Sequence, residues 1–261
     1  MKIGAYPFAS TASIAENLAK IERGISLAAA QNVRLLVFHE CALCGYPPIE
    51  TTMDSINRAE LDCTLDRIAV LARLNGMYLA VGTIRFEADQ CFNSLIVFDD
   101  QGSIACVYDK TALWGWDTEH FSRGCPSGLL EIDGLRIGLR ICFDIRFPEL
   151  FRSLYRSKAD LCIVAFSDTC ETANPERLNI IRSHLITRAV ENVMPVLSVN
   201  SLSRHPTAPT AVFDPDGRLL VEAFGESLLI YDHQPPAQTF GRRGRIANSN
   251  HFLNIKADEP C

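Results

Sequence analysis

The chain has 261 residues, enough for one large domain with a sizeable core. Hydrophobic residues make up 48% and charged residues 21%, the balance of a soluble globular chain rather than a disordered one. A net charge of −6 argues against nucleic acid or an anionic membrane as a partner, and no apolar run approaches the length of a bilayer span.

Ten cysteines are scattered, several inside apolar runs such as Leu161-Cys162-Ile163-Val164, and do not form a disulfide framework. The N-terminus runs straight into the strand-like Met1-Lys2-Ile3-Gly4-Ala5, with no signal-peptide pattern. Together these predict a reducing, cytoplasmic setting.

Residues 2–8 read as a strand. Ile14 to Ala30 reads as a helix, its stripe made by Ile14, Leu18, Ile21, Ile25 and Ala28, with Ser13 as cap and Glu16 three residues later. Val33 to Phe38 is a strand apolar on both faces that ends at His39-Glu40, and Gly45-Tyr46-Pro47-Pro48 is a loop. A second helix spans 58–75, and Tyr78 to Arg85 is a buried strand. A hairpin joins Ser94–Phe98 to Ser103–Tyr108, with Lys110 just beyond it. Thr111 to Gly128 is a long loop.

Leu135, Ile137, Leu139 and Ile141 alternate with Arg136, Gly138 and Arg140, which is a strand period. Cys142 stands where that strand stops. Pro148 suits the first turn of a helix, and Leu150, Phe151, Leu154 and Tyr155 have helical spacing. The reading is strand, sharp turn, helix, with a thiol at the turn. A helix N-terminus nearby would favour thiolate, and peptide N–H groups after the turn can face an oxyanion. By its position alone, Cys142 reads more readily as a buried cysteine ending a strand than as a nucleophile.

The second half echoes the first: strand Asp160–Phe166, helix Pro175–Val193, strand Val196–Val199, then a hairpin from Ala211–Asp214 to Arg218–Ala223. Val97-Phe98-Asp99-Asp100-Gln101-Gly102 resembles Val212-Phe213-Asp214-Pro215-Asp216-Gly217, which hints at two related halves. No linker divides the chain. The expected fold is a single α/β domain over 1–261, two mixed sheets packed face to face with helices outside, and 234–261 as an extended tail carrying Arg242-Arg243-Gly244-Arg245.

Glu40, Lys110 and Cys142 each end a strand, and strand ends can converge over one sheet rim. A thiol needs a base to attack at neutral pH, a buried carboxylate can serve as that base, and an ammonium beside a backbone N–H can hold an oxyanion. Together they make an acyl-transfer site.

Four segments in order carry a resemblance: Leu36-Val37-Phe38-His39-Glu40 with Gly45-Tyr46; Tyr108-Asp109-Lys110-Thr111 with Leu113, Glu119, Phe121 and Gly124; Gly138 to Glu149 around Cys142; and Thr187-Arg188-Ala189-Val190-Glu191-Asn192. They resemble the nitrilase superfamily of carbon–nitrogen hydrolases over about residues 1–232. The resemblance implies a four-layer αββα sandwich, no metal or other cofactor, and a homo-oligomer, dimeric or larger. It maps the catalytic residues onto Glu40, Lys110 and Cys142, and a second active-site glutamate onto Glu119. Arg188 and Glu191 would be structural. Phe143 would act through its backbone N–H, and Tyr46 and Trp114 would border the substrate.

Three departures border the expected pocket: His39 where the family often has Pro, Ala112 where it often has His, and no Trp within Phe166–Cys170. They bear on the substrate, not on the chemistry. Loops 41–57, 111–128 and 167–178 are expected to shape the pocket.

Cys41-x-x-Cys44 suggests a redox pair or half a zinc site. A loop rather than a helix follows it, and no matching pair of ligands exists. The expected function is hydrolysis of a small carboxamide through a Cys142 thioester. The alternatives are an N-carbamoyl amide hydrolase and a non-enzymatic binding module.

Overall fold

The computed structural model describes residues 1–254 except Pro126; Cys261 and the rest of 255–261 lie outside the described residues. The first half runs β1 (Lys2–Ala5), α1 (Ile14–Ala29), β2 (Leu35–Val37), α2 (Arg58–Asn75), β3 (Tyr78–Glu87), β4 (Gln90–Phe98) and β5 (Ile104–Asp109). A short helix α3 (Asp117–His120) and strand β6 (Leu129–Ile132) lead to β7 (Leu135–Ile141), a 3-10 turn over Cys142–Arg146 and α4 (Pro148–Arg156). Then come β8 (Leu161–Phe166), β9 (Thr169–Cys170), α5 (Pro175–Asn192), β10 (Val196–Asn200), β11 (His205–Pro206), β12 (Thr210–Phe213), β13 (Leu219–Ala223), β14 (Leu229–Asp232) and α6 (Phe240–Asn254).

Two six-stranded sheets result, in the orders β14-β1-β2-β3-β4-β5 and β13-β12-β10-β8-β7-β6. In the first, β1, β2 and β3 are parallel, with β14, β4 and β5 antiparallel around them. In the second, β7, β8 and β10 are parallel, with β6, β12 and β13 antiparallel around them. The two halves therefore share one topology, as the repeated hairpin motif suggested. Each half also lends an edge strand to the other's sheet, β6 to the second and β14 to the first.

Side chains alternate across each strand, so a strand between two layers must be apolar on both faces. In β2, Leu35 and Val37 enter the layer between the sheets, while Leu36 packs under α1 and α2. In β8, Leu161, Ile163 and Ala165 enter the same layer, and Cys162, Val164 and Phe166 pack under α4 and α5. Three apolar layers hold the four-layer αββα sandwich together. Among the described residues no helix is long and apolar enough to cross a membrane.

The cap on α1 is as expected, with Ser13 Oγ accepting from Glu16 N at 3.3 Å. Strand β1 is shorter than the 2–8 expected, because Pro7 has no N–H to continue the ladder. Strands β6 and β14 were not anticipated; both are four-residue edge strands with little pattern of their own.

The tail is not wholly extended. Residues 240–254 form α6, docked by Arg242 and Arg245, each 2.7 Å from Asp216. This helix lacks an apolar stripe, and ion pairs to the β12–β13 turn hold it in its place, which no periodicity could reveal.

Gly82 in β3 lies against the turn that follows β2. A Cβ there would stand 2.0 Å from His39 O and 2.7 Å from Cys41 N, both backbone atoms. Gly82→Ala is expected to lower the free energy of unfolding in urea by about 1–3 kcal/mol. Unchanged stability would show that the His39–Cys41 backbone is free to move.

Candidate active site

The rim where the parallel strands end gathers the functional groups. Glu40 lies just past β2, Lys110 just past β5, Cys142 just past β7 and Ser167 just past β8.

Glu40 is 1% exposed, with every side-chain contact provided by the protein. Its Oε1 accepts from Lys110 Nζ at 2.8 Å and from Asn93 Nδ2 at 2.7 Å, and Oε2 accepts from Ser167 N at 2.7 Å. Lys110 Nζ also donates to Asp117 Oδ2 at 2.7 Å, and Tyr46 OH donates to Asp117 Oδ1 at 2.6 Å. Lys110 and Asp117 are as buried as Glu40.

An ammonium carries three donors. Two are taken by the carboxylates, which leaves one for the cavity that Lys110 lines together with Cys142.

The Cys142 turn has its own scaffold. Cys142 adopts φ of 43°, a left-handed conformation uncommon for a residue with a side chain. Asp144 pins it: Oδ2 accepts from Ile141 N at 2.9 Å and Tyr108 OH at 2.7 Å, and Oδ1 accepts from Ala112 N at 2.7 Å. Arg188 Nε donates to Ile145 O at 3.0 Å and pairs with Glu191 at 2.8 Å, tying α5 to the same turn. Arg146 Nη1 pairs with His184 Nε2 at 2.9 Å. The N–H of Phe143, near the start of this turn, lies beyond reach of an intrahelical acceptor.

Electrostatics set the protonation states. Burial raises the Glu40 pKa against the opposing pull of Lys110. Burial also pushes the Cys142 thiol well above its ordinary range, Glu40 adding to the rise and Lys110 opposing it. For Lys110, burial works to lower the pKa, but Glu40, Cys142 and Asp117 outweigh it and hold the ammonium. Desolvation opposes the pull toward thiolate expected from the adjoining turn, which is consistent with the sequence reading that the thiol needs a base.

The cavity over Cys142 measures about 230 Å³. That is below the roughly 300–1,000 Å³ of sites for drug-sized ligands. All three expected loops line it: Tyr46 and Ile49 from the first, Trp114 from the second, and Ser167 to Cys170 with Arg177 from the third. Phe143 lies in the wall as well.

Glu119 is placed elsewhere. Its side chain is exposed and makes no hydrogen bond among the described residues; Asp117 holds the Lys110 position instead. The two acids are two residues apart on one helical turn, so they cannot face the same side. The helix register that chooses between them was not legible in a segment read as loop.

Asn93 and the Ser167 N–H also escaped the sequence reading. Asn93 left a signal, since a polar amide inside a strand between two apolar layers needs a buried partner. The Ser167 N–H left none. Cys41 and Cys44 are both buried, and Cys41 Sγ reaches Asn93 Oδ1 at 3.8 Å. His39 is buried against Phe8, its Nδ1 3.0 Å from Glu40 O, and burial lowers its pKa to about 4, so it is neutral at pH 7.

Comparison with known proteins agrees with this geometry. The carbon-nitrogen hydrolase family pattern matches residues 2–237. A hydrolase encoded in the 5' region of pqqF in Pseudomonas protegens is 31% identical over 77% of this chain and 72% of its own length. A 2-oxoglutaramate amidase of Bacillus subtilis is 30% identical over 61% of this chain and 62% of its own. An (R)-stereoselective amidase of a Pseudomonas species is 28% identical over 80% and 75%. Among solved structures, an amidase from Nesterenkonia sp. superposes with a TM-score of 0.80 over 97% of this chain and 96% of its own, at 24% identity, and so bears on the fold. With the match spanning nearly the whole sequence, the chain belongs to the carbon–nitrogen hydrolase family and is an enzyme of that type.

Proposed function

We propose that this enzyme hydrolyses the C–N bond of a small primary carboxamide to a carboxylate and ammonia. The observation that carries this reading is the buried Lys110, which is held between Glu40 and Asp117 with one donor left for a cavity that exposes Cys142.

Glu40 takes the Cys142 proton as sulfur attacks the amide carbon. The oxyanion lies between Lys110 Nζ and the Phe143 N–H. The tetrahedral intermediate collapses, the C–N bond breaks, and the proton on Glu40 goes to the leaving nitrogen, which departs as ammonia. A thioester remains on Cys142. Glu40 then draws a proton from water, hydroxide adds to the thioester carbon, and the C–S bond breaks. The carboxylic acid leaves and Cys142 regains its proton. Asp117 keeps Lys110 charged and aimed, and Tyr46 fixes Asp117.

Supporting this reading, relatives of this chain are described as amidases, and a mutant of the Nesterenkonia enzyme was captured with acrylamide added at its active-site cysteine. The names of these relatives support the amide reading over the N-carbamoyl alternative.

Cys142→Ala is expected to abolish ammonia release while leaving the unfolding midpoint near that of the parent. Full activity in this variant would contradict the mechanism. Asp117→Asn is expected to lower kcat by about 10²–10³, the usual cost of disabling an oxyanion donor. Glu119→Gln should leave kcat within about twofold, as for other exposed changes. A reversed pair of outcomes would return Glu119 to the site.

The Glu40 pKa also fixes the sign of the acid limb. The base must be ionised, so kcat/KM falls as pH drops through its raised pKa, at a pH above the ordinary 4.5. A limb at or below 4.5 would remove Glu40 from the role of base.

A further inference from the structure

The donors around Glu40 are divided unequally between its two oxygens. Oε1 accepts from Lys110 Nζ at 2.8 Å and from Asn93 Nδ2 at 2.7 Å. Among the described residues, Oε2 accepts from Ser167 N alone, at 2.7 Å. A carboxylate offers about four acceptor positions, two on each oxygen. Oε1 is therefore full, and Oε2 has one position left.

The division follows the two sheets. Asn93 lies in β4 and Lys110 just past β5, so both donors to Oε1 come from the first sheet. Ser167 lies just past β8, which runs beside β7 with Ile141 opposite Ala165. Oε2 is thus the oxygen tied to the second sheet, whose neighbouring strand end carries Cys142. Asn93 is itself fixed. It is 1% exposed, and its main-chain oxygen accepts from Lys110 N at 2.8 Å. An ionised carboxylate can only accept, so the amide nitrogen faces Glu40, and the amide oxygen takes the Cys41 thiol at 3.8 Å.

We propose that Asn93 is a positioning residue for the proton transfer: by filling the second acceptor position on Glu40 Oε1, it reserves Oε2 as the oxygen that exchanges the proton with Cys142. This rests on Glu40 as the base, as in the mechanism above, and deepens it. The proton leaves Sγ as sulfur attacks, forms an O–H bond on Oε2, and passes from there to the leaving nitrogen. With the proton on Oε2, Oε1 becomes a carbonyl oxygen that still accepts from both Lys110 and Asn93, so every donor keeps its partner. A proton on Oε1 would strand one of two buried donors, which is costly. The amide is also neutral. It occupies Oε1 without adding a second cation that would oppose protonation of Glu40.

A donor to a carboxylate favours its ionised form, so Asn93 works against the rise that burial imposes on Glu40. The other titratable groups around Glu40 are Lys110 and Asp117, Tyr46 and Glu50 from the loop after β2, Cys41 on its own turn, and Cys142 from the second sheet. Substitution of Asn93 leaves all of them in place and moves the Glu40 pKa further up.

The test follows the rate at which iodoacetamide alkylates Cys142, read by mass on the Cys142 peptide, against pH in wild type and Asn93→Leu. It needs no knowledge of the natural substrate. In wild type the rate should fall as pH drops through the Glu40 pKa, above the ordinary 4.5. Asn93→Leu keeps much of the side-chain shape and removes the donor. Its limb should move to higher pH by about one unit, the worth of a hydrogen bond to a charged group. Asn93→Val, which suits a strand, replaces the leucine variant if that one does not fold, with the same shift expected. Slower alkylation at every pH with the limb in place would mark a structural role alone and overturn the assignment, while Glu40 would stand as the base. A wild-type limb at or below 4.5 would overturn both.

Discussion

A buried ammonium and two buried carboxylates are each costly to remove from water, and none is stable there alone. Lys110 sits between Glu40 and Asp117 at 2.8 and 2.7 Å, and the three are at most 1% exposed. The remaining carboxylate oxygens are occupied by the Ser167 N–H and Tyr46, and Asn93 donates to the Glu40 oxygen that Lys110 also holds. The network is therefore complete on every side but one, and that side opens on Cys142. Loss of Lys110 would leave two uncompensated buried carboxylates, and loss of either acid would remove one of the two groups that hold the ammonium in place. The site is consequently one unit, in which Glu40, Lys110 and Asp117 are fixed together.

The scaffold makes this arrangement rigid. Each half of the chain builds a sheet whose parallel strands end on the same rim, and the two sheets meet face to face, so residues distant in sequence arrive at one cavity. Glu40 comes from one sheet and Cys142 from the other. The exchange of β6 and β14 between the halves binds the sheets at both outer edges. Asp144 secures the strained turn at Cys142, and close approach of Gly82 secures the turn at Glu40.

Much of this was legible in the sequence because it is written in local pattern. Strands apolar on both faces announced layers on both sides, the capped helices announced themselves, and the motifs around Glu40, Lys110 and Cys142 marked three strand ends. What could not be read depends on contacts between distant segments. Asp117 and Glu119 are chemically alike and two residues apart, and only the register of α3 buries the first. The turn at Cys142 pointed to an activated thiol, but the desolvation and the neighbouring Glu40 that push its pKa up come from segments distant in sequence. The tail read as extended, while Asp216, some twenty-six residues before Arg242, pairs with it and docks a helix there. In each case the missing information was a partner in space.

The central claim is that Cys142 carries the acyl group while Glu40 delivers and withdraws protons. Its most direct test is acid quenching during turnover of an amide, followed by mass analysis of the cysteine-containing peptides. The account predicts a mass increase equal to the acyl group on the Cys142 peptide alone, absent in Cys142→Ala. Turnover without any acylated cysteine, or with the acyl group on another of the ten, would contradict it.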